Sequence, residues 1–174
     1  MDIREIRKED LSTRVEWMNN PKIYRSMHFA IPVTIENTLK WYGKIMTDNS
    51  RVDVSFVDKE GALIAMGGLT HIDTALQKAE LYIFVSPDLQ GEGYGINCTA
   101  LLCQYGFEKL GLHKIYLYTN ANNKVASHIY EKIGFKLEGV LRDEVVENGI
   151  YSDRLYYGLL KMEFIMDTKC IHKD

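Results

Sequence analysis

The chain contains the segment Val85-Ser86-Pro87-Asp88-Leu89-Gln90-Gly91-Glu92-Gly93-Tyr94-Gly95, directly after the alternating segment Glu80-Leu81-Tyr82-Ile83-Phe84. This order predicts a strand that ends near Pro87, then a glycine-rich turn, then a helix from about Tyr94 toward Leu110. Glycines at alternate positions let successive backbone N–H groups point into one concavity, because glycine tolerates positive φ angles. The N-terminus of the following helix adds unpaired N–H groups and a partial positive charge. The segment therefore predicts a cradle for the phosphate groups of a cofactor.

The glycine spacing excludes two familiar phosphate loops. The dinucleotide fingerprint G-x-G-x-x-G fails, because the third glycine follows the second by two residues instead of three. A P-loop needs Gly-Lys followed by Ser or Thr, whereas Gly93 and Gly95 are followed by Tyr94 and Ile96. The pattern that fits is Gln90-x-x-Gly93-x-Gly95. It resembles the Gln/Arg-x-x-Gly-x-Gly/Ala loop that binds acetyl-coenzyme A (acetyl-CoA) in the GNAT N-acetyltransferases.

A second segment, Asn123–Phe135, resembles the other cofactor motif of the same family. It reads Asn-Lys-Val-Ala-Ser-His-Ile-Tyr-Glu-Lys-Ile-Gly-Phe, with Asn-x-x-Ala, Tyr and Gly-Phe at the matching positions. Apolar residues at helical spacing, an N-cap at Asn122 or Asn123 and a stop at Gly134 predict a short helix. The resemblance extends over Met1–Lys161. The pattern is most similar to spermidine and ribosomal-protein N-acetyltransferases and to the aminosugar N-acetyltransferase of pseudaminic acid biosynthesis.

The composition is typical of one globular domain. The 174 residues are 46% hydrophobic, which is enough to bury a core, and the net charge of −3 disfavours nucleic acid as a partner. The three cysteines form no Cys-x-x-Cys pair and the five histidines lack ligand spacing, so we expect no metal site. No apolar run has membrane length and no secretory signal is found, so a cytoplasmic protein is expected. We expect a GNAT domain at 1–166 and a flexible tail at 167–174.

Hydrophobic periodicity predicts an α/β (α+β) fold with helices on both faces of a sheet. Helices are expected from Asp10 or Ser12 to Met18 and from a cap at Thr34 onward, in addition to the two motif helices. A hairpin is expected around Asn148-Gly149, because Asn-Gly between alternating runs is a strong hairpin signal. The predicted strands are 1–7, 52–58, 63–71, 77–86, 114–119, 135–146 and 150–162. The order β-α-α-β-β-β-α-β-α-β-β matches the GNAT fold, a mixed and mostly antiparallel sheet with splayed strands.

The resemblance implies acetyl-CoA as the cofactor, without a metal. In the family, the strand before the glycine loop hydrogen-bonds the pantetheine arm, the loop holds the pyrophosphate, and the second motif contacts the arm. Carried onto this sequence, the cofactor-binding residues are Ile83, Phe84, Val85, Gln90, Gly91, Glu92, Gly93, Tyr94, Gly95, Ile96, Asn123 and Ala126.

Two residues are candidates for the proton transfers that acetyl transfer to an amine requires. Tyr130 matches the family tyrosine that lies near the cofactor sulfur and donates a proton to the departing thiolate. A phenol with a pKa near 10 is a reasonable donor to a thiolate of similar basicity. Glu80 resembles an acid at the same place in spermidine N-acetyltransferases. It would take a proton from the ammonium group, or bind a cationic acceptor without proton transfer, or be a solvated charge at the strand end.

The acceptor pocket is expected to involve the loop after the first helix. The candidate residues are Trp17, Met27, His28, Phe29 and Tyr82. Their aromatic and methionine-rich character resembles the pocket of the aminosugar enzymes. The acid-rich segment that would bind a positively charged polyamine is absent. We therefore expect direct attack in a ternary complex by a small-molecule primary amine, with the amino sugar of a nucleotide-sugar ahead of a polyamine. The alternatives are a protein N-terminal acetyltransferase of the ribosomal-protein type and a non-catalytic CoA-binding module. A homodimer is expected, as is common in the family.

Overall fold

The fold is built on one seven-stranded sheet. The computed structural model describes residues 1–27, 29–147 and 149–164. The strands are β1 (Asp2–Glu5), β2 (Val52–Val57), β3 (Leu63–Asp73), β4 (Lys78–Val85), β5 (Lys114–Asn120), β6 (Lys136–Glu147) and β7 (Ile150–Leu160), in the spatial order β1-β2-β3-β4-β5-β7-β6. The helices are α1 (Leu11–Met18), α2 (Pro21–Tyr24), α3 (Ile35–Ile45), α4 (Tyr94–Glu108) and α5 (Lys124–Ile133). The predicted fold class is confirmed, with α2 as an additional short helix.

The pairing of β4 with β5 is the feature that positions the site. These neighbours are parallel, and only three residue pairs form, the last being Glu80 opposite Tyr116. Beyond that pair both strands continue, to Val85 and Asn120, without facing partners in the described ladder. The other neighbouring strands are antiparallel over longer ladders. The sheet therefore opens into a wedge at its centre, as the splayed strands of the sequence prediction require.

One face of the sheet is covered by α4 and α5 over an apolar core. Leu102 and Phe107 of α4 pack with Ile115 and Leu159 of the sheet, and all four are buried. Burying each of these side chains contributes roughly 2 kcal/mol. A Cβ on Gly106 would lie 2.9 Å from side-chain atoms of Ile115, so a glycine there lets α4 approach the strands closely.

The opposite face, under α1 and α3, buries charges as well as apolar side chains. Its apolar members are Ile6, Leu11, Trp17, Ile23, Met66 and Phe84. Beside them the guanidinium of Arg4 donates two hydrogen bonds, of 2.7 and 2.8 Å, to the carboxylate of Asp10. The Ser55 hydroxyl and the Arg7 backbone N–H also donate to Asp10. Burial raises the pKa of Asp10, but these hydrogen bonds outweigh it and hold the pKa below its ordinary value.

Local signals in the sequence place most element ends correctly. The Thr34 hydroxyl accepts a hydrogen bond from the backbone of α3, and the Asn123 side chain caps α5 in the same way. Gly134 ends α5 with φ of +110°, a left-handed conformation that favours glycine. Gly149 lies between β6 and β7 with φ of +78°, which confirms the predicted hairpin; its neighbour Asn148 lies outside the described residues.

Two sequence predictions about the chain ends have different outcomes. The first strand is shorter than the predicted 1–7, because the chain turns at Arg7 into a single 3-10 turn, Lys8–Asp10. The predicted tail, 167–174, lies outside the described residues. In the part of the chain that the structure describes, no helix is long and apolar enough to cross a membrane.

Candidate active site

A cleft of about 910 Å³ occupies the wedge between β4 and β5. Its walls come from α2 and the loop after it, from β4, the glycine loop and the start of α4, and from β5, α5 and β7. Most of the residues that the sequence analysis selected line this cleft, although they are far apart in the chain. They are Met27, Phe29, Glu80, Tyr82, Ile83, Phe84, Val85, Gln90, Gly91, Gly93, Gly95, Ile96, Asn123, Ala126 and Tyr130.

Of the selected residues that the structure describes, three do not line the cleft. Trp17 is buried behind Phe84, with its ring edge-on at 6.4 Å between ring centroids, so it supports the wall from inside the core. Glu92 is exposed at the outer side of the glycine loop, and Tyr94 packs against the core under α4. His28 lies outside the described residues.

The glycine loop has the backbone conformation that its sequence predicts. Gly91 and Gly93 have φ angles of +90° and +85°, and a Cβ on either would meet no atom within 4 Å. This open space lets a phosphate approach the backbone N–H groups at the start of α4, for which Gly93 is the N-cap residue. Gly95 has another role, because its Cβ would lie 3.1 Å from Ile129 of α5. The third glycine therefore allows α5 to pack on α4.

Two cations beside the glycine loop were missed by the sequence analysis. Lys22 and Arg25, three residues apart on and after α2, both line the cleft. The ammonium group of Lys22 also donates a 2.8 Å hydrogen bond to the backbone carbonyl of Pro87, which joins α2 to the segment before the glycine loop. Their i, i+3 spacing was the available signal. They make this end of the cleft positive, which suits the phosphates of CoA.

Tyr130 lies on α5 with its ring packed against aromatic neighbours. The ring centroid is 5.7 Å from that of Phe135 and 6.1 Å from that of Tyr157. Burial raises the pKa of Tyr130 to about 12. The phenol is therefore protonated at neutral pH, as a proton donor to a thiolate must be.

Glu80 lies at the point where β4 and β5 separate. Its carboxylate lines the cleft, and one oxygen lies 3.1 Å from Nδ1 of His71 on β3. Across the wedge, burial and the negative charge of Glu80 raise the pKa of Tyr116 to about 12. The carboxylate of Glu80 therefore lies at the branch of the sheet, between His71 of β3 and Tyr116 of β5.

A cluster of three tyrosines continues the site beyond Glu80. Tyr118 and Tyr156 are 5.1 Å apart between ring centroids, and Tyr116 contacts both. The guanidinium carbon of Arg154 lies 4.8 Å from the centroid of the Tyr118 ring. The Nε atom of Arg154 is buried and has no hydrogen-bond partner among the described residues. The alternation along β5 and β7 was the signal for this cluster, but only the pairing of the strands reveals it.

Tyr82 forms a fixed part of the cleft wall. Its hydroxyl donates a hydrogen bond to Asp53, whose carboxylate also accepts two hydrogen bonds from Arg51 at 2.6 and 2.8 Å. The ring passes over Gly68, where a Cβ would lie 2.8 Å from the Tyr82 ring. A glycine at 68 therefore allows the ring to cross β3 and reach β2.

The described residues contain no group of three or more His, Cys, Asp or Glu that could hold a metal ion. The cleft instead combines a loop shaped for phosphates, a buried phenol and a carboxylate at the branch of the sheet. This set matches what transfer of an acyl group from a phosphorylated carrier to an amine requires.

Comparison with known proteins agrees with this chemistry. The model of the acetyltransferase (GNAT) domain matches residues 1–136. Spermidine N(1)-acetyltransferase of Escherichia coli K12 is 28% identical over 169 residues, which cover 96% of this chain and 89% of that protein. Its counterpart from Vibrio cholerae is 29% identical over 175 residues, covering 100% and 97%.

A solved structure supports the same relationship. The spermidine N-acetyltransferase of Vibrio cholerae in complex with CoA and spermine superposes with a TM-score of 0.88 at 30% identity, covering 93% of this chain and 96% of that one. The match to the family model, the wedge and the glycine loop all agree. The chain therefore belongs to the GNAT family and is an N-acetyltransferase that uses acetyl-CoA.

Proposed function

We propose that the chain acetylates a primary amine of a small molecule within a ternary complex, with Glu80 and Tyr130 moving the protons. The observation that carries the proposal is the separation of β4 from β5 after Glu80, since it opens a cleft between the carboxylate and the glycine loop. The open space at Gly91 and Gly93 and the cations of α2 fit the phosphates of CoA. When bound, acetyl-CoA supplies the thioester carbonyl that the amine attacks.

Each residue then has a defined task. The peptide edges of Ile83 and Val85 orient the carrier arm, because β4 has no strand partner on that side within the described ladder. Glu80 takes a proton from the ammonium group and leaves the amine with its lone pair free. The Tyr130 hydroxyl, which is protonated at neutral pH, would give its proton to the departing sulfur, and the second proton of the acceptor nitrogen would then restore the hydroxyl.

For the acceptor we propose a polyamine ahead of an amino sugar. The similar proteins named above act on spermidine or bind spermine, and the preference for amino sugars predicted from the loop after α1 finds no support among them. A carboxylate beside tyrosine rings is also a favourable environment for an alkylammonium group. Lys22, Arg25 and Arg154 line the same cleft, so we place the acceptor near Glu80, away from Lys22 and Arg25.

The test is CoA release from acetyl-CoA with three acceptors: spermidine, a UDP-linked 4-amino sugar and a short peptide with a free N-terminus. We expect turnover with spermidine, and loss of that turnover in Glu80→Gln but not in the matched surface variant Glu60→Gln. Turnover with the peptide alone would favour the protein N-terminal alternative. Cofactor binding without turnover on any amine would favour the non-catalytic alternative.

The homodimer and the cytoplasmic location remain proposals. Light scattering after size exclusion would give the mass of the particle in solution. A mass near one chain, 20.1 kDa, would rule out the dimer.

A further inference from the structure

His71 occupies an irregular point of β3, next to the active site. Its φ angle is +51°, a left-handed conformation that a non-glycine residue adopts at a strain of roughly 1 kcal/mol. The register between β3 and β4 shifts between Thr70 and Asp73, so His71 lies in a bulge. Bulges beside active sites commonly redirect a side chain. The bulge therefore sets the direction of the His71 side chain, whose imidazole contacts Glu80.

The imidazole of His71 lies between the Glu80 carboxylate in the cleft and bulk solvent. Its Nδ1 atom lies 3.1 Å from a carboxylate oxygen of Glu80. The Glu80 side chain is 25% exposed whereas the His71 side chain is 73% exposed, so one group lines the cleft and the other faces bulk water. A proton placed on Glu80 therefore has a titratable neighbour on the solvent side.

We propose that His71 removes from Glu80 the proton that each turnover leaves there. The inference rests on the proposed function, in which the acceptor ammonium gives a proton to Glu80. The carboxyl O–H bond of Glu80 then breaks as an N–H bond forms at Nδ1 of His71, and Glu80 becomes a carboxylate again. The imidazolium releases one proton from Nε2 to bulk water, and exchange with water at the exposed ring then moves the remaining proton from Nδ1 to Nε2, so that Nδ1 is free for the next turnover. The acceptor nitrogen loses two protons in all: one reaches the solvent through Glu80 and His71, and the other restores the hydroxyl of Tyr130 after it has protonated the sulfur, so the cycle balances.

The other groups around Glu80 are less suited to this step. Burial raises the pKa values of Tyr116 and Tyr156, which remain protonated at neutral pH and accept no proton. The Lys78 side chain lies over the Tyr116 ring, with its Nζ atom 5.9 Å from the ring centroid, and makes no ion pair with Glu80 in the described part of the chain. Arg51, which directly precedes β2, is bound by Asp53 and is not available to Glu80. Imidazole is the side chain that commonly gains and loses a proton near neutral pH. Among these neighbours, His71 is therefore the best suited to accept the proton of Glu80.

The test uses the variant His71→Gly, in which glycine accepts the left-handed conformation without strain. With saturating acetyl-CoA and saturating spermidine, we expect kcat to fall by about tenfold, because a slow return of Glu80 to its carboxylate form then limits each turnover. Free imidazole added to the buffer should restore most of the lost rate, because it can reach the exposed position and accept the proton. The matched control is Gln77→Gly, another residue with positive φ in the same β3–β4 hairpin, at +49°. It should keep the wild-type rate and show no response to imidazole.

Three outcomes would overturn the proposal. An unchanged rate in His71→Gly would show that Glu80 loses its proton by another route. A lower rate that imidazole does not restore would indicate a structural role for the ring. Additive losses in the double variant His71→Gly with Glu80→Gln would mean that His71 does not act through Glu80. A wild-type enzyme silent on all amines would instead remove the proposed function itself, so the two failures are distinguishable.

Discussion

The two faces of the sheet differ in how they are stabilised. The face under α4 and α5 is an apolar core closed by glycines and helix caps. The face under α1 and α3 contains Arg4, Asp10, Arg51 and Asp53 as hydrogen-bonded ion pairs beside its apolar cluster. The first face carries the glycine loop, and the second includes Tyr82 and Phe84 of the cleft wall. The difference teaches that backbone geometry shapes the face with the glycine loop, whereas buried charge pairs hold the face behind Tyr82.

A change in the glycine loop should lower the affinity for acetyl-CoA without affecting the other face of the sheet. This is the largest expected effect. Gly93→Val imposes strain at φ of +85° and fills the space that a phosphate needs, so affinity for acetyl-CoA should fall roughly 1000-fold. Isothermal titration calorimetry measures it. Gly61→Val is the matched control, since Gly61 has φ of +88° in the distant β2–β3 turn. Equal losses in both variants would attribute the effect to strain and contradict the cradle.

A change in a buried charge pair should lower the stability of the fold and leave cofactor affinity unchanged. Asp10→Asn leaves the Arg4 guanidinium without its counter-ion, so the free energy of unfolding should fall by about 3 kcal/mol while affinity for acetyl-CoA stays the same. Urea unfolding measures the first quantity. The exposed Glu9→Gln should change it little. A large loss of cofactor affinity in Asp10→Asn would contradict the separation of the two faces.

The same pair predicts a pH dependence. Since the pKa of Asp10 is lower in the folded protein, its stabilisation is present above the unfolded-state pKa, near 3.9, and is lost as the pH falls through the folded-state value. The stability difference between the wild type and Asp10→Asn should therefore be full at pH 6 and shrink below about pH 4. A difference that stays constant down to pH 2 would mean that the charge of Asp10 is not what stabilises this face.

Tyr130 tests whether the apolar face also takes part in the chemistry. Tyr130→Phe should keep the packing and lower kcat by about 100-fold, with little change in affinity for CoA, because only the proton is removed. Stopped-flow assays of CoA release measure kcat. Tyr105→Phe, on α4 and outside the cleft lining, is the control. Wild-type turnover in Tyr130→Phe would leave Tyr130 as a packing residue.

The smallest expected effect concerns the acceptor end of the cleft. Arg154→Gln removes a cation whose Nε has no partner among the described residues, so kcat/KM for spermidine should rise about threefold. The exposed Arg142→Gln on β6 should leave it unchanged. A fall in kcat/KM would indicate that Arg154 binds the acceptor or the carrier directly. This measurement tests the effect of one positive charge at the proposed acceptor end of the cleft, separately from the glycine loop.

The sequence predicts the cofactor face well because its signals are local. Gly93, Asn123 and Gly134 each act through their own φ angle or cap, and neighbouring residues in the chain reveal them. Gly95 was grouped with the loop glycines, although its function depends on Ile129 of another helix. A contact between two helices of this kind cannot be predicted from the spacing of residues within one segment.

The acceptor face was predicted less completely because its contacts are long-range. The hydroxyl of Tyr82 reaches Asp53 across β3, and Arg154 reaches Tyr118 from a strand that is distant in sequence. Trp17 was selected as an acceptor contact by its type, whereas its burial behind Phe84 follows from how α1 crosses the sheet. The register and crossing of elements decide these contacts, and neither is visible in the pattern of one segment.

The open wedge also bears on the solubility of the empty protein. Two strand edges, Leu81–Val85 and Leu117–Asn120, face each other inside the molecule without a ladder between them. Unpaired strand edges invite pairing with foreign strands and hence aggregation. Here α4 and α5 cover the gap on one side, which limits the access of a strand from another molecule to these edges. The helices of this face therefore shield the strand edges of the empty wedge as well as packing the core.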